Sequence, residues 1–90
     1  MESFVTGQVV FSKAGRDKLN FFVVVTVEGE YLYLSDGAIR KLSSPKKKKQ
    51  KHVRPVNFID YELKKKLESN TALDADVRKT VQPFNSRTKA

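Results

Sequence analysis

Residues 7–25 of this 90-residue chain read GQVVFSKAGRDKLNFFVVV, and this stretch decides the fold. An apolar strand, predicted over 5–13, leads into a basic loop centred on Gly15, and the loop leads into a second apolar strand. Glycine suits the turn because it adopts positive φ without strain. The β-branched and aromatic run over 21–27 is typical of a central strand covered on both faces. The stretch therefore predicts a β-rich domain with an exposed basic turn.

Three further strands are predicted between this stretch and Pro55. Two hairpin signals, each containing a glycine, precede a strand over 30–35 and a strand over 38–42. A last short strand is expected over 51–54, closed by the proline. Five short strands with tight turns predict a mainly β fold, a small SH3-like barrel that manages its edge strands by near-closure.

The hydrophobic period changes to that of a helix after residue 56. Apolar side chains recur four residues apart, which predicts helices over 58–68 and 74–81. The two apolar stripes are Ile59, Leu63 and Leu67, and Leu73, Val77 and Val81. The predicted organisation is a barrel over 1–56, one or two short C-terminal helices over 57–82 and a flexible tail over 83–90. Helices this short are unstable alone, so we expect them to pack on the barrel, with a protein partner as the alternative.

Positive charge is concentrated in one segment of the chain. The formal net charge is +8. Residues 40–54 hold eight lysines and arginines and no acid, so their charge of +8 equals the net charge of the whole chain. A concentrated basic patch is the electrostatic footprint of a polyanion-binding protein. The alternative is a solvated loop that aids solubility.

Composition excludes several classes of protein. The chain has no cysteine and one histidine, His52, so it offers neither a disulfide framework nor the partners of a metal or catalytic site. It contains no apolar run long enough to span a membrane, and its start lacks the pattern of a signal peptide. We expect a cytoplasmic, monomeric protein that is not an enzyme, needs no cofactor and does not contact membranes.

Several short motifs resemble the KOW domain of nucleic-acid-binding proteins. They are Gly7-Gln8-Val9-Val10, Lys13-Ala14-Gly15-Arg16-Asp17, Val23-Val24-Val25, Gly29-Glu30-Tyr31-Leu32, Asp36-Gly37 and Lys51-His52-Val53-Arg54-Pro55. The resemblance covers about residues 5–55 and is closest to KOW-containing large-subunit ribosomal proteins of archaea and eukaryotes. It departs at Leu19-Asn20, where many members have a glycine. It implies an SH3-like barrel that binds RNA through the basic loop.

The resemblance and the charge pattern together predict an RNA-binding surface. Its expected members are Lys13, Gly15, Arg16, Lys18, Arg40, Lys41, Lys46, Lys47, Lys48, Lys49, Lys51, His52 and Arg54. In the loop, the glycine would let the backbone approach a phosphate while the cations supply charge. The alternative for the loop is an ordinary hairpin turn with solvated charges.

Tyr31 and Tyr33 alternate with two leucines and so face away from them. We expect these rings to cover the second face of the sheet beneath the helices, and base stacking is the alternative.

The function expected from these observations is non-catalytic RNA binding, with ribosomal RNA or the ribosome as the partner. The expected alternative is a protein-interaction module of the SH3-like class that acts in translation or transcription, because fold alone does not separate the two. A protein neighbour would use residues 57–81.

Overall fold

Five strands and two helices make up the chain in the computed structural model, which describes residues 3–13 and 20–88. The mainly β fold class, with five strands followed by two C-terminal helices, is confirmed. The elements are β1 (Gln8–Ser12), β2 (Phe21–Glu28), β3 (Tyr31–Ser35), β4 (Lys46–Lys49), a 3₁₀ helix (Gln50–His52), β5 (Val53–Ile59), α1 (Tyr61–Glu68) and α2 (Asp74–Thr88).

The strands form one antiparallel sheet in the order β4-β3-β2-β1-β5. Its two edge strands, β4 and β5, are joined by only the three residues of the 3₁₀ helix. That link spans at most about 14 Å from Lys49 to Val53, whereas the edges of a flat five-stranded sheet lie about 19 Å apart. The sheet must therefore curl. The hydrogen-bonded order of the described strands ends at β4 on one side and at β5 on the other.

One face of the sheet buries an apolar core. Its members are Phe4, Val10, Phe22, Val24, Leu32, Leu34 and Val53. The predicted alternation of β3 is confirmed, because Leu32 and Leu34 are fully buried while the alternating Tyr31 and Tyr33 are half-buried. The prediction for β2 is confirmed only over its first half, since residues 26–28 are exposed.

The two helices pack on the opposite face of the sheet. Val23 of β2 forms a second buried cluster with Leu63 of α1 and with Val77 and Val81 of α2. The expectation that the helices pack on the sheet is confirmed. Leu73 departs from the predicted stripe, because it lies before α2 and is 66% exposed.

The strand predicted over 38–42 is wrong, and a tight loop takes its place. The Asp36 carboxylate accepts hydrogen bonds from the backbone N–H groups of Ala38 and Arg40, both at 2.9 Å. The Ser35 hydroxyl donates to the Arg40 carbonyl at 2.6 Å. These side-chain contacts satisfy the backbone groups that a strand ladder would use, which is how Asp and Ser favour turns over regular structure.

The boundary between strand and helix lies later than predicted. β5 continues through Pro55 to Ile59, so the expected domain boundary at residue 56 falls inside a strand. A proline is tolerated there because β5 is an edge strand. The helix begins at Tyr61 because Asp60 is its N-cap, with Oδ1 accepting the backbone N–H of Leu63 at 3.0 Å.

Residues 83–88 of the predicted tail are helical, since α2 runs through Pro83 to Thr88, and the last two residues of that tail lie outside the described part of the chain. Tertiary contacts explain why. The Phe84 ring lies 5.5 Å from that of Phe21 and 5.7 Å from that of Phe58, measured between centroids. The Asn85 side chain accepts from the Phe21 N–H at 2.8 Å and donates to its carbonyl at 3.3 Å. These contacts offset the hydrogen bond that a proline removes from a helix.

The start of α2 is fixed by two carboxylates. Asp74 is the first residue of α2, and its Oδ1 accepts from the Leu42 N–H at 2.8 Å. Asp76 accepts from the Leu73 N–H at 2.9 Å. That hydrogen bond lowers the pKa of Asp76 below its ordinary value.

Asp60 connects the two helices, and its loss should destabilise the protein. Besides capping α1, its Oδ2 accepts from the Thr80 hydroxyl of α2 at 2.8 Å. Asp60→Ala removes both bonds and should lower the free energy of unfolding by about 1–3 kcal/mol. Asp60→Asn keeps a good N-cap and should cost less than half as much. Thermal melts of the two variants and the wild type test this, and equal melting of Asp60→Ala and wild type would contradict it.

Candidate nucleic-acid interface

The lysine run is a strand, although the sequence analysis predicted no strand between residues 42 and 51. Residues 46–49 form β4 and pair with β3 in the register Tyr31–Lys49, Leu32–Lys48, Tyr33–Lys47 and Leu34–Lys46. The backbone of β3 offers an edge, and pairing with it satisfies the backbone groups of the lysines that point towards β3. Lysine is also a residue that blunts an exposed edge against pairing with other chains.

The register divides the four lysines between the two faces of the sheet. Lys46 and Lys48 lie on the face of Leu34 and Leu32 and are half-buried. A lysine can bury its methylene chain along apolar surface while its ammonium stays in water. Lys47 is exposed on the opposite face, which it shares with the half-buried Lys49. Both faces of β4 therefore carry positive charge.

Lys47 and Lys49 contact the two tyrosines of β3. The Lys47 Nζ lies 4.5 Å from the ring centroid of Tyr31 and 6.0 Å from that of Tyr33, and the Lys49 Nζ lies 5.9 Å from Tyr31. These distances are within the range of cation–π attraction. The expectation that the helices cover the tyrosines is wrong. The helices contact β2 at Val23, which pairs with Ser35, so they lie at the other end of β3.

Two acidic residues flank the tyrosines at the β2–β3 turn. The Tyr33 hydroxyl donates to Glu28 Oε1 at 3.3 Å, and Lys49 Nζ lies 3.6 Å from Glu30 Oε1. Both pairs are exposed, so each contributes little to stability. The two glutamates make the β2–β3 turn less positive than the rest of β3 and β4.

The 3₁₀ helix brings the second half of the basic segment to the base of the predicted RNA-binding loop. The Lys13 N–H donates to the His52 carbonyl at 2.9 Å, and Arg54 pairs with Phe11 in the β1–β5 ladder. Lys13, Lys51, His52 and Arg54 are all exposed. The remaining loop members of the predicted site, Gly15, Arg16 and Lys18, lie outside the described residues.

Arg40 and Lys41 are held in a different place. They belong to the loop before β4, and the described contacts connect this loop to α2. Arg78 of α2 donates to the Gly37 carbonyl at 2.6 Å, beside the bond between Leu42 and Asp74. Lys41 is exposed and Arg40 is half-buried. The described contacts therefore do not bring these two residues to Lys13 and His52.

Gln50 is a positioning residue that the sequence analysis missed. Its backbone N–H donates to the Glu30 carbonyl and its side-chain amide donates to the Gly29 carbonyl, both at 2.8 Å. These bonds attach the 3₁₀ helix to the β2–β3 turn and so fix where Lys49 and Lys51 lie. Gln50 is the one uncharged residue between Lys46 and Lys51, and this interruption of the lysine run could have indicated a structural role.

A cleft of about 520 Å³ lies away from the basic segment, between β5 and the two helices. Its charged lining is mixed, with acids such as Asp60 and Glu62 beside Lys66 and Lys79. Within residues 3–13 and 20–88, no group of three acidic or histidine side chains is placed to hold a metal ion. In the same part of the chain, no helix is both long and apolar enough to cross a bilayer.

Comparison with protein-family models and with curated protein sequences gives no match to this chain.

Proposed function

We propose that this chain is a non-catalytic RNA-binding protein that associates with the ribosome and contacts structured ribosomal RNA. The observation that carries the proposal is the continuity of the basic segment. From Lys46 to Arg54 the chain has no acidic residue and forms β4, the 3₁₀ helix and the start of β5. Its end is hydrogen-bonded to Lys13, at the base of the loop that resembles a KOW motif.

The fold supports the proposal. A curled five-stranded sheet with a basic loop between β1 and β2 is compatible with the SH3-like barrel that the KOW resemblance implies. In that arrangement the loop and the lysine-rich segment would contact RNA together, and Gly15, Arg16 and Lys18 belong to the proposed site.

The distribution of charge supports binding along the basic segment and not along the helices. Residues 60–79, which include α1 and the first six residues of α2, carry five acids and five lysines or arginines, so their charges cancel. The basic segment contains no acidic residue of its own, and its Lys49 forms an ion pair with Glu30 of the β2–β3 turn. Lysine-rich surfaces bind phosphates as point charges and favour affinity over sequence choice. Structured RNA, read through its backbone and shape, is therefore the proposed target.

The salt dependence of binding tests the proposal. The full chain is titrated with a folded ribosomal RNA fragment and with duplex DNA of equal length, over 50–300 mM salt. If about six cations contact phosphates, the plot of log K against log salt should have a slope of roughly −4 where the contacted RNA is single-stranded, and a steeper slope where it is duplex. We expect tighter binding to the RNA than to the DNA. Absence of RNA binding would contradict the proposal. Together with nuclease-resistant capture of a protein from cell extract, that result would favour the SH3-like protein-interaction module.

A further inference from the structure

The face of β3 that carries Tyr31 and Tyr33 is a feature that phosphate binding does not use. The two residues are separated by one position, so their side chains project from the same face of the strand. Both are half-buried. The helices occupy the Ser35 end of this face, and Tyr31 lies four residues, about 13 Å, farther along the strand. The described neighbours of the rings are Lys47, Lys49 and Glu28.

A ligand can reach the two tyrosine rings from solvent, because the lysine side chains that lie next to them are flexible and can move aside. The closest ammonium belongs to Lys47, which is exposed. Such an exposed contact changes an equilibrium constant only about two- to fivefold, so a better ligand for the ring face can displace it. The displaced ammonium remains next to the site and is free to meet a phosphate.

The spacing of the rings selects the kind of nucleic acid that fits. Side chains two positions apart on a strand are separated by about 6.6 Å. Stacked nucleotides rise about 3.4 Å along each strand of a duplex, so the two rings match bases that are splayed apart. In a duplex the faces of the bases are covered by their neighbours. Only unpaired bases can therefore stack on both tyrosines.

We propose that Tyr31 and Tyr33 form a stacking site for two unpaired bases of RNA, with Lys47 and Lys49 bound to the flanking phosphates. This inference rests on the proposed function and adds its substrate class, a single-stranded segment such as a loop or bulge. Glu28 and Glu30 repel phosphates at the hairpin tip. The RNA strand then runs from Tyr31 along β4 towards Lys46, away from these acids.

Ring-removing and ring-keeping substitutions test the stacking site. Tyr31→Leu and Tyr33→Leu keep an apolar side chain without a ring, and Tyr31→Phe and Tyr33→Phe keep the ring. The probes are a 12-nucleotide oligouridylate and a 12-base-pair RNA duplex. Each leucine variant should bind the oligouridylate about 5- to 140-fold more weakly, since a stacked base contributes about that factor. Binding to the duplex should be unchanged, and the phenylalanine variants should stay within about twofold of wild type.

A measurement on the unmodified protein covers the case in which a leucine variant fails to fold. Photocrosslinking with a 4-thiouridine-substituted oligouridylate should place crosslinks at Tyr31 or Tyr33. The inference is overturned if a folded leucine variant binds oligouridylate like wild type, if both probes lose affinity equally, or if crosslinks map elsewhere. If the wild type binds RNA with a steep salt slope in these cases, only the stacking site is refuted. If the wild type binds neither probe, the proposed function fails as well.

Discussion

Val77→Asp should strongly destabilise the protein and lower its melting temperature by more than about 15 °C. Val77 is 0% exposed and packs with Val23, Leu63 and Val81 where α2 meets the sheet. A carboxylate there would be buried among apolar side chains, which costs more than about 4 kcal/mol. The whole stability of a 90-residue domain is about 5–13 kcal/mol. Circular dichroism and thermal melting measure the loss.

Ala75→Asp is the matched control for this prediction. It introduces the same side chain two residues earlier in α2, at an exposed position. A negative charge in the first turn of a helix is favourable, so this variant should melt within about 2 °C of wild type. Equal melting of the two variants would show that α2 does not pack on the sheet in solution.

Neutralising β4 should produce the largest loss of RNA binding. A variant with Lys46, Lys47, Lys48 and Lys49 all changed to Gln keeps the length of the side chains and removes four charges. If each lysine meets a phosphate, the slope of log K against log salt should flatten by about 3. If the variant and the wild type have equal affinity at 1 M salt, this difference in slope makes the variant bind about 200-fold more weakly than the wild type at 0.15 M salt. The same titration with a ribosomal RNA fragment measures both quantities.

A charge-matched variant separates a site from a general effect of charge. Changing Lys64, Lys65, Lys66 and Lys79 to Gln also removes four charges, but from the helices. It should flatten the slope by less than about 1, because these residues lie away from β4. Thermal melts establish that both variants fold. Equal loss of binding in the two variants would mean that net charge, and not the surface of β4, determines affinity.

The sequence was sufficient for the parts of the fold that local pattern determines. The apolar run of β2 and the alternation of Leu32 and Leu34 in β3 predicted strands because β-branched and alternating residues match a pleated, half-buried surface. The predicted stripes were Ile59, Leu63 and Leu67, and Leu73, Val77 and Val81. They indicated helices that cover the sheet, although Ile59 belongs to β5 and Leu73 lies before α2. Each of these signals lies within a short stretch of sequence, so neighbouring residues carry it.

Tertiary contacts decided the parts that pattern missed. Lysine has a low preference for strands, and residues 46–49 form one only because β3 offers an edge to pair with. The helix continues past Pro83 because Phe84 and Asn85 contact Phe21, which is more than 60 residues away in sequence. The Asp36-Gly37 pair was interpreted as a hairpin signal, but side-chain hydrogen bonds close a loop there.

The candidate site was predicted unevenly for the same reason. The charge pattern located the basic segment, and its alternation along β4 followed once the strand was known. The bond between Lys13 and His52, the hydrogen bonds of Gln50 to the β2–β3 turn and the packing of the helices on Val23 are contacts between residues distant in sequence. No local pattern encodes such contacts. The roles of Gly15, Arg16 and Lys18 stay predictions from the resemblance.

Crosslinking in living cells, followed by sequencing of the bound RNA, tests RNA binding most directly. The wild-type chain, the variant with four neutralised lysines in β4 and the charge-matched helix variant are expressed at equal levels. We expect the wild type and the helix variant to recover ribosomal RNA at a defined region, and the β4 variant to lose that signal. Recovery of no RNA above background by the wild type, or equal recovery by all three proteins, would contradict the proposal that this basic segment binds RNA.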